Sequence, residues 1–192
     1  MTAQRTAPEK MAEKDVIDLL QAQHGMIRDL FDEVEQAPAD RRGEAFTRLV
    51  RLLAVHETAE EEIVHPYARM KIDGGNGVVD DRLAEEHDAK ELLMELDEAG
   101  PGAGDFAEKL AMLRAAVETH ARSEERYEFA KLRAHTTETE RRVMATGVKA
   151  AEAMAPTHPH PGTESATKNI LVGTPVAMMD RARDVIRRAM GK

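Results

Sequence analysis

The stretch His56-Glu57-Thr58-Ala59-Glu60-Glu61-Glu62-Ile63-Val64-His65-Pro66 holds a histidine and a glutamate four residues apart. Thr119-His120-Ala121-Arg122-Ser123-Glu124-Glu125 repeats that spacing 64 residues later (120 − 56). In a helix, residues four apart stand one above the other on the same face, so each pair offers one nitrogen and one oxygen to a single point. A further histidine precedes each pair, His24 by 32 residues (56 − 24) and His87 by 33 (120 − 87). All six residues fall on the apolar stripes of amphipathic patterns, in places where leucine is the ordinary occupant.

Those stripes give the fold. Val16, Leu20, Ile27, Phe31 and Val34 follow helical spacing around His24, which predicts a helix from about residue 14 to 36. Leu49, Leu53, Ile63 and Tyr67 do the same around His56 and Glu60 over about 41–68, and Pro66 is expected to kink or loosen the last turn. Asp73-Gly74-Gly75-Asn76-Gly77 reads as a loop. A third helix over about 79–99 carries Leu83, His87, Leu93 and Met94, with Lys90 interrupting its face. Phe106, Leu110, Leu113, Val117 and Tyr127 make an unbroken stripe with His120 and Glu124 over about 105–135. Four helices with short connections predict an all-α, up-down-up-down four-helix bundle. Asp18, Leu20, His24 and Leu30 align with Asp81, Leu83, His87 and Leu93 at an offset of 63, as in two facing helix hairpins.

The expected organisation is a flexible arm at 1–12, the bundle at 13–135, and a C-terminal helical extension at 136–192. Within that extension, additional helices over about 137–155 and from Thr174-Pro175 to Met190 flank a Pro-rich loop at 155–162. His158 and His160 in that loop read as incidental. The last helix reads as an appendage against the bundle, with a partner or membrane-surface role as the alternative.

Composition narrows the function. Of 192 residues 33% are charged and 3% aromatic, a palette suited to helices. The net charge of −9 argues against binding nucleic acid or an anionic membrane. Cysteine is absent, which excludes disulfides, thiolate metal sites and thiol nucleophiles. With no apolar run of membrane-spanning length and no secretory leader at Met1–Lys10, the expectation is a cytoplasmic protein.

Buried imidazoles and carboxylates are costly without a partner or a metal. Two His and one carboxylate from each half, with open positions, suit non-haem iron, and two such sets suggest two metals with bridging carboxylates. Zinc is the alternative by ligand softness. A ferritin-like site would instead show Glu-x-x-His pairs and a Glu-dominated shell. Four neighbours stay open at this level. Glu57 reads by helical phase as a solvent-facing acid, the alternative of a further ligand being what a family resemblance implies. Glu125 is the alternative to Glu124. His65, about half a turn out of phase with His56, takes a supporting role unless Pro66 re-aims it. Tyr127 is either a core aromatic or part of a ligand pocket.

Taken together, the H…HxxxE…H…HxxxE arrangement over about Asp15–His135, with Glu85-Glu86-His87-Asp88, resembles the hemerythrin-like, or HHE cation-binding, domain. The tail with Ala155-Pro156-Thr157-His158-Pro159-His160-Pro161 resembles actinobacterial members. The resemblance implies a four-helix bundle holding two iron ions in an oxo- or hydroxo-bridged centre. It also implies binding or sensing of O2, peroxide (H2O2) or NO in stress response. A catalase-like peroxide-decomposing enzyme, or an iron-storage or iron-sensing interaction module, are the alternatives it implies. Oxygen-carrying relatives have HxxxH on the third helix and HxxxxD on the fourth. Here Glu91 follows His87 by four and Glu124 follows His120 by four, which argues against simple oxygen carriage.

Overall fold

The computed structural model describes residues 15–154. The expected arm at 1–12, the Pro-rich loop and the last helix lie outside the described residues. Helix α1 spans Val16–Gln36. Asp15 starts it by accepting hydrogen bonds from the backbone N–H groups of Ile17 and Asp18 at 3.0 and 3.3 Å. Ala37 is extended ahead of Pro38, which ends α1, and α2 begins at once over Ala39–Ala59.

Two of the four rods contain a π-helical turn. Glu60–Val64 forms the first, continued by α3 over His65–Lys71. The His65 backbone N–H reaches Glu60 O, five residues back. Pro66, which has no N–H to give, follows directly. So Pro66 stays inside a continuous rod, and the looseness expected of it appears as a widened turn just before it. The second π turn, Glu124–Phe129, joins α5 (Phe106–Ser123) to α6 (Ala130–His135). It contains no proline. What the two turns share is a fully buried glutamate as their first residue, Glu60 and Glu124.

The glycine-rich stretch is a tighter turn than its composition predicts. Gly74 alone takes a positive φ of 74°, and α4 already starts at Gly75, running to Ala99. A β-carbon on Gly75 would come within 2.5 Å of Ala68 O, so the turn is closed against the end of α3.

The rods pack as a bundle in which α1 neighbours α2 and α5, and α4 neighbours α3 and α5. Helix α7, Glu138–Met154, crosses α1, α2 and the first π turn. Its start is closed reciprocally: the Glu140 N–H donates to Thr137 Oγ1 at 3.2 Å, and the Thr137 N–H donates to Glu140 Oε2 at 2.8 Å. Met144 and Val148 bury its apolar side. The core falls into two clusters. One surrounds Leu20, Val64, Phe129 and Leu132 and includes α7. The other surrounds Phe31, Leu49, Leu96 and Leu113. A layer of buried histidines and glutamates lies between them: His24, His56, Glu60, Glu86, His120 and Glu124.

Candidate metal centre

The ligand atoms of His24, His56, Glu60 and Glu124 all lie within 4.8 Å of one another. Donor atoms about 2.1 Å from a shared ion lie up to about 4.2 Å apart, so small side-chain adjustments would close this set on one cation. His120 stands beside it, its Nε2 at 3.5 Å from Glu124 Oε2 and 3.9 Å from Glu86 Oε1.

Each of these three histidines is held from behind. His56 Nδ1 donates to Gln23 Oε1 at 2.7 Å. His24 Nδ1 donates to Glu125 Oε1 at 2.9 Å, and His120 Nδ1 to Glu85 Oε2 at 3.2 Å. Anchoring Nδ1–H turns the Nε2 lone pair inward, the arrangement that orients a metal-binding imidazole. His24 Nε2 is 3.3 Å from Glu124 Oε2, and His56 Nε2 is 3.3 Å from Glu60 Oε2. Although the first separation is short, neither atom has a hydrogen-bond partner. With Nδ1 carrying the proton, two acceptors face each other there.

The unpaired atoms decide what the site needs. His24 Nε2, His120 Nε2 and both oxygens of Glu60 and of Glu124 are buried without a hydrogen-bond partner. Each such atom costs about 1–3 kcal/mol, so six together approach the whole stability of an ordinary domain, roughly 5–15 kcal/mol. Nitrogen and oxygen lone pairs converging in this way fit a cation.

Ionisation agrees with that fit. Burial, and then the neighbouring His24, hold His56 down to about 3, so its imidazole is neutral and able to coordinate. Burial, with the negative charges of Glu124, Glu86 and Glu128, pushes Glu60 well above the usual carboxylate range. Burial opposes charge on Glu124 too, but the positive charge of His120 outweighs it and holds that carboxyl below its ordinary value. The metal-free layer therefore keeps a proton on Glu60 where a cation would otherwise supply the positive charge.

A small cavity of about 20 Å³ abuts the centre. His24, His56, His120 and Glu86 form its polar end, and Ile27, Leu53, Ala89 and Val117 its apolar walls. It has room for about one water-sized molecule.

The structure does not bring His87 to this cluster. Its side chain is 72% exposed, with Nε2 3.4 Å from Glu91 on the same helix. The buried residue is its neighbour Glu86. The reason is register: Ile17, Leu20, His24, Ile27, Phe31 and Val34 correspond in burial to Val79, Arg82, Glu86, Ala89, Leu93 and Leu96, all at an offset of 62 rather than 63. Tyr127 is likewise corrected, being 47% exposed with Arg126 over its ring. The second π turn inserts a residue, so Glu128 and Phe129 take the inward positions. Glu125 supports His24 from behind instead of joining the ligand group. Glu57 is buried, lines the cavity, and lies 3.6 Å from Lys90 Nζ; burial pushes its carboxyl up to about 7.

His65 is buried between two carboxylates, with Nε2 2.7 Å from Glu86 Oε1 and Nδ1 3.0 Å from Glu128 Oε1. Burial works against its charge, yet those two bonds outweigh it and push His65 up to about 10. Sequence reasoning missed Glu86, Glu128, and the supports Gln23 and Glu85. The 62-residue register of Val79, Leu93 and Leu96 was the signal that would have found Glu85 and Glu86.

Residues 15–146 match the family described as the Hemerythrin HHE cation binding domain. A DNA nickase from Nostoc sp. is 28% identical over 139 residues, which is 72% of this chain and 39% of that protein. The chain thus spans well under half the length of that relative. The crystal structure of a Hemerythrin HHE cation binding domain-containing protein from Mycobacterium kansasii superposes with a TM-score of 0.64 at 18% identity. The superposition covers 88% of this chain and 98% of that one, and shows a shared fold. The chain belongs to the hemerythrin HHE cation-binding domain family.

Proposed function

We propose that this protein binds iron in its buried histidine–glutamate layer and uses the centre to bind or sense a small oxygen species, O2, peroxide or NO. The observation that carries the reading is the convergence of three imidazoles, each anchored at Nδ1, on carboxylates whose oxygens are otherwise unpaired. His24, His56, Glu60 and Glu124 would hold one ion. Bound iron would supply reversible one-electron chemistry to a ligand of that size.

The chain's own residues set the conditions for that chemistry. Gln23, Glu85 and Glu125 fix the three rings. Ile27, Leu53, Ala89 and Val117 keep the adjoining cavity apolar, and its volume limits a ligand to a few atoms. Glu57 places a carboxyl at the cavity wall, where it can accept or return a proton.

The test is metal analysis and an optical spectrum of the full chain after anaerobic loading with Fe(II) and exposure to air, peroxide or NO. Stoichiometric iron with a spectrum that changes reversibly supports binding or sensing. Oxygen evolved catalytically from peroxide, and lost in His120→Ala, would reassign the protein to peroxide disproportionation. Fewer than about one iron per chain would overturn the iron reading altogether.

A further inference from the structure

We propose a second cation position on the far side of Glu124, held by His65, Glu128 and Glu124 and assembled by the two π turns. This deepens the proposed function and rests on the same centre, with Glu124 as the shared residue. The expected donor for a second ion was His87, which faces away.

The geometry is specific. Ligand atoms of His65, Glu124 and Glu128 lie within 4.8 Å of one another, and all three side chains are buried. Glu128 Oε2 and both oxygens of Glu124 have no hydrogen-bond partner, and both residues are fully buried. His65 is hydrogen-bonded at both nitrogens, Nε2 to Glu86 Oε1 at 2.7 Å and Nδ1 to Glu128 Oε1 at 3.0 Å, so a cation here would take the place of the proton between His65 Nδ1 and Glu128.

The π turns make this possible. Nine residues separate His56 from His65, about half a turn out of phase in a regular helix. The residue absorbed at Glu60–Val64 rotates His65 towards the bundle axis. The turn at Glu124–Phe129 does the same for Glu128 in place of Tyr127. The two ions would then sit in unlike surroundings, the first richer in nitrogen and the second richer in oxygen.

The experiment is anomalous scattering at the iron edge from crystals of the full chain loaded with Fe(II), together with metal content of Glu128→Gln, His65→Ala and His87→Ala. The proposal expects two peaks, one beside His24 and His56 and one between Glu124, Glu128 and His65. It also expects content to fall from about two ions to about one in Glu128→Gln and His65→Ala, with His87→Ala unchanged. Glu128→Gln is nearly isosteric and tests the site if His65→Ala fails to fold; the wild-type map decides if both fail. A second peak between Glu86 and His120, or two ions retained in Glu128→Gln, would overturn it. A single peak beside His24 and His56 would sink this proposal while leaving the iron reading intact. No bound iron in wild type would sink both.

Discussion

The two halves of the bundle differ most at a pair of crossed contacts. At the first, the His24 ring stacks on Phe129, centroids 5.8 Å apart and planes within 10°. At the second, the register-equivalent of His24 is Glu86, and the equivalent of Phe129, 64 residues earlier, is His65. There the stack becomes a hydrogen-bonded ion pair of 2.7 Å. One half keeps an imidazole on the axis and covers it with an aromatic ring. The other moves the imidazole to the covering position and puts a carboxylate on the axis. The exchange conserves the His count while changing which side carries nitrogen. A buried carboxylate is tolerated there because His65 and Lys90 accompany it, the latter 3.3 Å from Glu86 Oε2.

The residue common to both halves gives the largest expected effect. Glu124 belongs to both candidate ligand groups. Glu124→Gln should therefore reduce bound iron to less than about a tenth of the wild-type content at micromolar free metal, measured by elemental analysis. Retention of one ion would mean that the halves do not share it.

The ion pair of the second half should also make stability depend on pH. His65 sits at about 10 in the folded metal-free protein against an ordinary 6.5. A raised imidazole pKa stabilises the fold fully below the unfolded value. That contribution declines as pH rises through the window to about 10. Several kcal/mol are at stake by linkage, so urea midpoints of the metal-free protein should drop between pH 6.5 and 10. His65→Phe should flatten that slope, and an unchanged slope would refute the assignment.

A smaller effect is expected behind the ligands. Gln23 holds His56 with a neutral amide, whereas Glu85 holds His120 with a carboxylate. Gln23→Leu should weaken metal binding about 10- to 100-fold in competition with a chelator. Smallest of all, His87→Ala should leave metal content unchanged and alter stability by no more than about 0.5 kcal/mol.

The fold was legible because apolar spacing around His24, His56 and His120 is strict, and because Pro38 and the Gly100-Pro101-Gly102 turn punctuate the rods. The site was less legible in two places, for separate reasons. Glu85, Glu86 and His87 are adjacent, so a one-residue error in register exchanges an acid for a histidine. His24 and His87 are 63 residues apart whereas the buried positions are 62 apart, and Lys90 interrupts the apolar stripe that marks the difference. The π turns left a different gap. A helix that absorbs one extra residue has no periodic signature, so Tyr127 continued the ideal stripe on paper while Glu128 and Phe129 occupy it in space. Pro66 marked the first of these turns, and nothing comparable marks the second.

Helix α7 has a practical bearing on where this domain can be cut. Arg141 reaches Asp15 at 2.7 Å, donates to Thr136 O at 2.7 Å, and closes the start of α1 from outside. Met144 and Val148 cover the same cluster as Leu19, Val64 and Leu132. A fragment stopped at His135 would retain every candidate ligand yet open that cluster and the Asp15 carboxylate to water. The apolar cluster at the foot of the bundle thus continues at least to Val148, and α7 acts as the floor beneath the four rods.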